Sequence, residues 1–471
     1  MRVERPQTRR RLLASGLTVS AAALSGCAGV RHGPSPAARV RTIPFQLNVQ
    51  GPHSASVNAL VQRYVDQNFN AHHKGVRAVY EPWGNMPAVI SASVAGAGPY
   101  VVSGCCNDFA TALPFLAPLD AFLRRDNIAE GIWSSGQLQT FRQPTGLYGV
   151  PAYTAAQPYF YRQDILDELG LEYPDPNWTA ADAAKLWKAC AANKGGKHRY
   201  GATLDVSPSF IGEGAFLLHG FGGAFMDTSG TQCLFDLPGS IRGGEWAFQL
   251  IHNDIVTNRG HWPGGELAGM WLDACVFSEG AGGAMLSAVN NLGAKFKWDL
   301  IPYPRWPVRP ATAVQIDFYG LNATVPAADR DLAWELFRFA TVDPGWTRYV
   351  MRLTLQQPAL LSQWDEWEAV VRSVAPLLRG KAIGYWKDAA VNGWGYGLQF
   401  FKYAPLQAFQ IIGTTWARIW NRQVDVQTGF RSIAQQINTL EQADAAAPVE
   451  SAQAIIQAHR AMLHRLQGMF T

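Results

Sequence analysis

Charge is scarce in this chain. Only 16% of the 471 residues are Asp, Glu, Lys or Arg, while 48% are hydrophobic, a balance that excludes a self-repelling disordered chain and implies a packed one. The formal net charge is +4, and the first eleven residues account for all of it, with Arg2, Arg5, Arg9, Arg10 and Arg11 against Glu4. The remainder is close to neutral and offers no basic face, so no nucleic-acid partner is expected. Cysteine is sparse too. There are six, none in C-x-x-C spacing, so neither thioredoxin-type redox chemistry nor a zinc ribbon has support. G-x-S-x-G, H-E-x-x-H and Cys/His nucleophile signatures are missing. Gly195-Gly196-Lys197 lacks the spacing of a phosphate-binding loop. His72-His73 are neighbours that cannot share a helix face, which reads as a solvated turn. No cofactor and no metal are expected, and no fixed-period repeat is visible.

What is present begins at the N-terminus. The arginines lead into the apolar run Leu12–Leu24 and then Leu24-Ser25-Gly26-Cys27. A positive start, a short apolar run and small residues make a secretory signal, too short for a stable membrane span. Residues 1–27 read as a signal peptide with a lipobox, in which Cys27 is lipidated and becomes the mature N-terminus; a plain signal peptide with an incidental cysteine is the alternative. Arg9-Arg10-Arg11 also fits a twin-arginine signal. Residues 28–41, with Gly33, Pro34, Ser35 and Pro36, read as a flexible tether. No later stretch of about 18 consecutive apolar residues exists to cross a bilayer. The protein is therefore expected to be exported and held to the membrane by its N-terminal lipid. Five cysteines remain after Cys27, and an odd count outside the cytoplasm leaves at least one thiol free or paired between chains.

The length suits two lobes. Ile43, Phe45, Leu47 and Val49 alternate with polar or proline positions, as in a strand with one buried face. Val57, Leu60, Val61, Tyr64 and Val65 then follow helical spacing, and Val76–Tyr80 is a second strand. A helix-like Pro87–Gly96 precedes the short strand Tyr100–Val102. Alternating strands and helices imply a parallel α/β layer with right-handed crossovers. Downstream helix faces run along 332–340, 430–440 and 455–466.

The order of short blocks resembles the extracellular solute-binding proteins of ABC importers, in particular the family 1 group that binds sugars and glycerol-phosphate-type ligands. The blocks are Ala117-Pro118-Leu119-Asp120, Tyr148-Gly149-Val150-Pro151 followed by Tyr159 to Asp164, and Pro176 to Asp182. Phe221 to Asp227, Gly282-Gly283-Ala284-Met285, Ala333 to Phe339 and Gln357-Pro358-Ala359 follow in the same register. None is specific alone; their order over residues 43–440 carries the likeness. The resemblance implies a two-lobed periplasmic-binding-protein-like fold of type II, with the ligand in a cleft between lobes joined by hinge crossings. The first lobe would comprise 42–152 and 318–375, the second 153–317 and 376–471. Crossings would fall near Ala152–Gln157, Gln315–Tyr319 and Ser373–Lys381. It further implies a monomeric receptor, not an enzyme, that captures a small solute by hinge closure. The receptor would hand that solute to ABC permease subunits driven by a cytoplasmic ATPase. A carbohydrate is the expected cargo, a glycerol-3-phosphate ester the alternative, and an exported carbohydrate-active enzyme the rival of another class. Such an enzyme would need two carboxylates about 5–10 Å apart.

Aromatics make up 12% of the chain and include 17 Trp; their flat faces suit sugar C–H surfaces. Trp83 follows the second strand, at the end where open α/β sheets tend to bind ligands. Tyr153 lies at the first crossing; Asp317 and Tyr319 lie at the second. Asn290 and Asn291, whose amides both donate and accept, follow the Ala284-Met285 block. Trp271, Trp394 and Tyr396 complete the cleft candidates. Core or surface packing is the competing reading for each of these. Many sugar binders carry an acid after the third strand. Here Cys105 and Cys106 stand there, with Asp108 available nearby, and Ala155 occupies another position where relatives carry an acid. Cys105 and Cys106 fit either a vicinal disulfide or small buried side chains.

Overall fold

The computed structural model describes residues 40–445 except 48, 50–54, 83, 106–107, 144, 154, 195, 205–214, 228, 259–260, 281–282, 316, 393–394 and 397–404. Cys27 and the lipobox, the tether, Trp83, Cys106, Trp394 and the helix face at 455–466 lie outside the described residues. From Arg41 onward the chain packs as one unit.

Two strands, Arg41–Leu47 and Val76–Pro82, pair in parallel, joined by the helix Ala55–Asn68. This is the expected β-α-β unit, and Ile43, Phe45, Leu47 and Val49 are all buried. The strand Val101–Cys105 lies beside the first, tied by Tyr100 N–H to the Pro44 carbonyl at 2.8 Å. Ser103 N–H donates not to backbone but to Gln46 Oε1 at 3.0 Å. That bond explains why a glutamine is buried in a sheet: its side chain replaces a missing ladder bond. On the other side, Asp317–Asn322 runs antiparallel to Val101–Cys105 and also pairs with Val150–Pro151.

In the second sheet, Lys197–Thr203 is parallel to Val256–Thr257 and Cys275–Glu279. Tyr159–Arg162 runs antiparallel to Cys275–Glu279 and to Trp298–Ile301. The expected parallel layers are thus mixed sheets: Ala192–Lys194 runs antiparallel to Lys197–Thr203, and two further strands are antiparallel for a common physical reason. Asp317–Asn322 and Tyr159–Arg162 do not arrive through a helical crossover, which would force a parallel strand. Each comes directly from a segment shared between the sheets. The helix Ala180–Cys190, opened by a Thr179/Asp182 capping box, packs very tightly on the second sheet. A Cβ added to Gly201 would sit 2.0 Å from the Trp187 carbonyl oxygen.

Tryptophan mostly builds the interior. Trp133, Trp187, Trp298, Trp334, Trp364, Trp367 and Trp386 are all fully buried, so aromatic abundance alone does not mark a ligand site. The segment 318–375, assigned by resemblance to the first lobe, divides in its packing. Arg330–Thr341 lies against Asp317–Asn322, whereas Trp364 and Trp367 share a core with Phe160, Trp298 and Trp386 of the second. Among the described residues no helix is long and apolar enough to cross a membrane.

Candidate ligand-binding site

Strand registers place the site. In the first sheet, Leu47 pairs with Pro82, Cys105 with Asp317 and Pro151 with Phe318. The carboxyl ends of four strands therefore meet at one edge, the position where open α/β sheets bind ligands. Asp108, first residue of the short helix Asp108–Ala112, folds back over this edge. A Cβ on Gly104 would lie 2.8 Å from Asp108 Cβ and 3.0 Å from its Oδ2, so only glycine leaves the carboxylate room. Asp317 is buried at the same edge, and its carbonyl accepts from Ala152 N–H at 2.9 Å. Tyr153 is fully buried beside it, its carbonyl accepting from Gln137 Nε2–H at 3.3 Å.

The second sheet has a matching edge. Glu279 and Ile301 both end their strands opposite Tyr159, the first residue of its own. Here sits a buried polar cluster. Tyr303 O–H donates to Glu279 Oε1 at 2.8 Å, and Tyr159 O–H reaches both that oxygen and the Thr203 carbonyl at 3.2 Å. Glu279 N–H donates to Thr203 Oγ1 at 3.0 Å, which is 3.1 Å from Ser278 Oγ. Nearby, His219 belongs to the helix Ala215–Gly220 that packs on Thr312–Gln315. Burial, reinforced by Arg309, pushes its pKa down to about 4, so the imidazole is neutral at physiological pH.

The two edges are connected by paired chain. Gln315 pairs with Ala155 and Val314 with Ala156, antiparallel, while Gln157 N–H donates to the Ala313 carbonyl at 3.0 Å. Thr312 Oγ1–H closes the ladder on the Gln157 carbonyl at 2.7 Å. Thus the described residues of 150–157 and 312–322 run side by side from one sheet to the other. The third strand at this junction is Gly395–Tyr396, parallel to Thr312–Ala313. It lies further along the chain than Ser373–Lys381, which instead contains the turn Pro376–Leu378 with Leu378 buried in the tryptophan-rich core.

Of the residues singled out from sequence, Cys105, Asp108, Tyr153 and Asp317 come together at the first edge, and the backbone of Tyr396 lies at the junction. Four others are placed elsewhere. Tyr319 is one pleat inside the first sheet and lines an internal cavity with Trp346 and Gln357. Trp271 precedes the start of Cys275–Glu279, at the edge opposite Glu279. Asn290 and Asn291 are exposed on the helical segment Ala288–Leu292 that leads toward the start of Trp298–Ile301, again the far edge, and Asn291 Nδ2–H bonds back to the Ser287 carbonyl at 3.0 Å. His73 does more than cap a turn: it stacks on Phe69, and its Nε2 is 2.7 Å from Glu335 Oε2. Sequence reasoning missed Thr203, Glu279, Tyr159 and Tyr303. The available signal was a glutamate ending the otherwise uncharged strand Cys275–Glu279, just before Gly280.

Two mixed sheets, each with one antiparallel strand delivered through a shared junction, define a two-lobed periplasmic-binding-protein fold. No protein-family model matches the chain, and no curated protein does. Solved structures match it at length. A cyclic α-maltosyl-1,6-maltose binding protein from Arthrobacter globiformis shares 15% identity at a TM-score of 0.67, over 85% of this chain and 99% of that one. An ABC substrate-binding protein from Listeria monocytogenes in complex with cycloalternan shares 13% at 0.66, over 85% and 99%. Maltose-bound MalE3 of T. maritima shares 17% at 0.63, over 85% and 99%. At these identities the likeness establishes the fold alone.

Proposed function

We propose that this chain is an exported, lipid-anchored receptor that captures a carbohydrate and delivers it to an ABC import permease. The observation that carries the reading is the pair of strand-end edges joined by the hydrogen-bonded segments 150–157 and 312–322. Asp108 and Asp317 lie on one side, the Glu279–Tyr159–Tyr303 group on the other. Carboxylates accept from sugar hydroxyls with charge-assisted bonds, and hydroxyl-rich ligands give each edge something to hold. Closure would turn about Ala152–Gln157 and Ala313–Asp317, stabilised because a ligand touching both lobes favours the closed state. The three solved structures above are a complex with cycloalternan, a cyclic maltosyl-maltose binding protein and a maltose-bound protein, which supports an oligosaccharide as cargo. Anchoring would rest on Cys27. No catalytic role is assigned.

Thermal-shift screening of a form beginning at Arg41 tests this. Maltose, cyclic glucans and other oligosaccharides are compared with glycerol-3-phosphate esters. A ligand at 100 times its Kd adds about 2.7 kcal/mol, readily seen as a raised Tm. A shift with phosphodiesters alone would overturn the sugar assignment, and hydrolysis of a bound oligosaccharide would overturn the receptor.

A further inference from the structure

The block Gln357-Pro358-Ala359 is not explained by ligand capture. The helix Pro344–Thr354 ends at Leu355 in the left-handed conformation, φ 60°, which turns the chain back into the protein. Gln357 is 1% exposed. Its position before Pro358 restricts its backbone to extended conformations. The side chain lines a small cavity between Ala152 and Tyr319 at the junction and Trp346, Val350 and Ala359. Neither Nε2 nor Oε1 of Gln357 meets a hydrogen-bond partner within the protein. A primary amide carries two donors and an acceptor, and burying it unpaired is strongly unfavourable.

The cavity leaves about 10 Å³ for the centre of a water-sized sphere, the room one water needs and far less than any solute. We infer that this cavity is a built site for one ordered water, bound by the Gln357 amide behind the junction between the lobes. The water supplies the partner that the fold withholds.

A high-resolution crystal structure of the ligand-free mature protein tests the assignment. The expected result is an isolated solvent peak about 2.6–3.2 Å from Gln357 Nε2 or Oε1. A dry cavity with the amide bonded to protein atoms would overturn it. In the Gln357→Met variant, of similar length but without the amide, the peak should vanish. A peak that persists there belongs to other atoms and also refutes the assignment. Should that variant fail to fold, the density of the unmodified protein still decides.

Discussion

Replacing Tyr303 with Phe removes one oxygen and little else. The ring keeps its neighbours, with Tyr159 at 4.8 Å and Phe216 at 4.9 Å between centroids, so no cavity opens. What disappears is a 2.8 Å bond to Glu279 Oε1 inside the protein. Leaving a fully buried acceptor short of its donor costs about 1–3 kcal/mol. Tyr159→Phe should cost less, about 0.5–1.5 kcal/mol, because its single proton is divided between Glu279 Oε1 and the Thr203 carbonyl at 3.2 Å each. The two substitutions share an acceptor and should not be additive; the double variant loses more than the sum. Unfolding entropy of roughly 2.1 cal/mol/K per residue gives about 0.8 kcal/mol/K for some 400 residues. A loss of about 2 kcal/mol therefore lowers Tm by about 2–3 °C in a single cooperative transition, and by more if the second lobe unfolds separately. Scanning calorimetry of the three variants reads this directly. An unchanged Tm for Tyr303→Phe, or a larger loss for Tyr159→Phe, would refute the network as drawn.

Thr179→Ala dismantles the capping box and should cost about 1 kcal/mol, measured by denaturant unfolding. Gly201→Ala drives a methyl into the Trp187 carbonyl and should cost more than about 3 kcal/mol, seen as loss of soluble folded protein. Asp329 is held below the usual carboxylate range first by its hydrogen bond from Arg41 and then by that from Tyr100 at 2.6 Å. A depressed folded pKa stabilises above the unfolded value of about 3.9 and is lost as pH falls through the folded value. Asp329→Asn should therefore flatten the acid limb of the Tm–pH profile below about pH 4 while lowering Tm near neutrality. Asp108→Asn and Asp317→Asn should each weaken oligosaccharide binding about tenfold or more by titration calorimetry; unchanged affinity in both would move the site off the first edge.

The first edge was legible because its positions follow from local pattern. Alternation at Ile43, Phe45 and Leu47 marks the strand without any partner, and the residues just past a strand's end fall at its carboxyl edge by construction. That logic reaches Cys105 and Asp108. It fails at Tyr319, which shares a face with Asp317 but sits one pleat deeper, beneath the helices, so proximity in sequence did not mean proximity to the edge.

The second edge depends on register between strands far apart in the chain. Tyr159 and Glu279 are separated by 120 residues, and no local periodicity states that one begins where the other ends. The Gly-x-Ala-Met block lies beside this edge, but the sequence does not state the direction of its helix. Its helix starts just past Glu279 and runs away from the edge at about 1.5 Å per residue, so Asn290 and Asn291 arrive at the far side while Glu279 lies just before the block. A motif fixes a place in the fold only once the polarity of its helix is known, and in this chain that polarity is set by the antiparallel strand Tyr159–Arg162, itself a product of the junction.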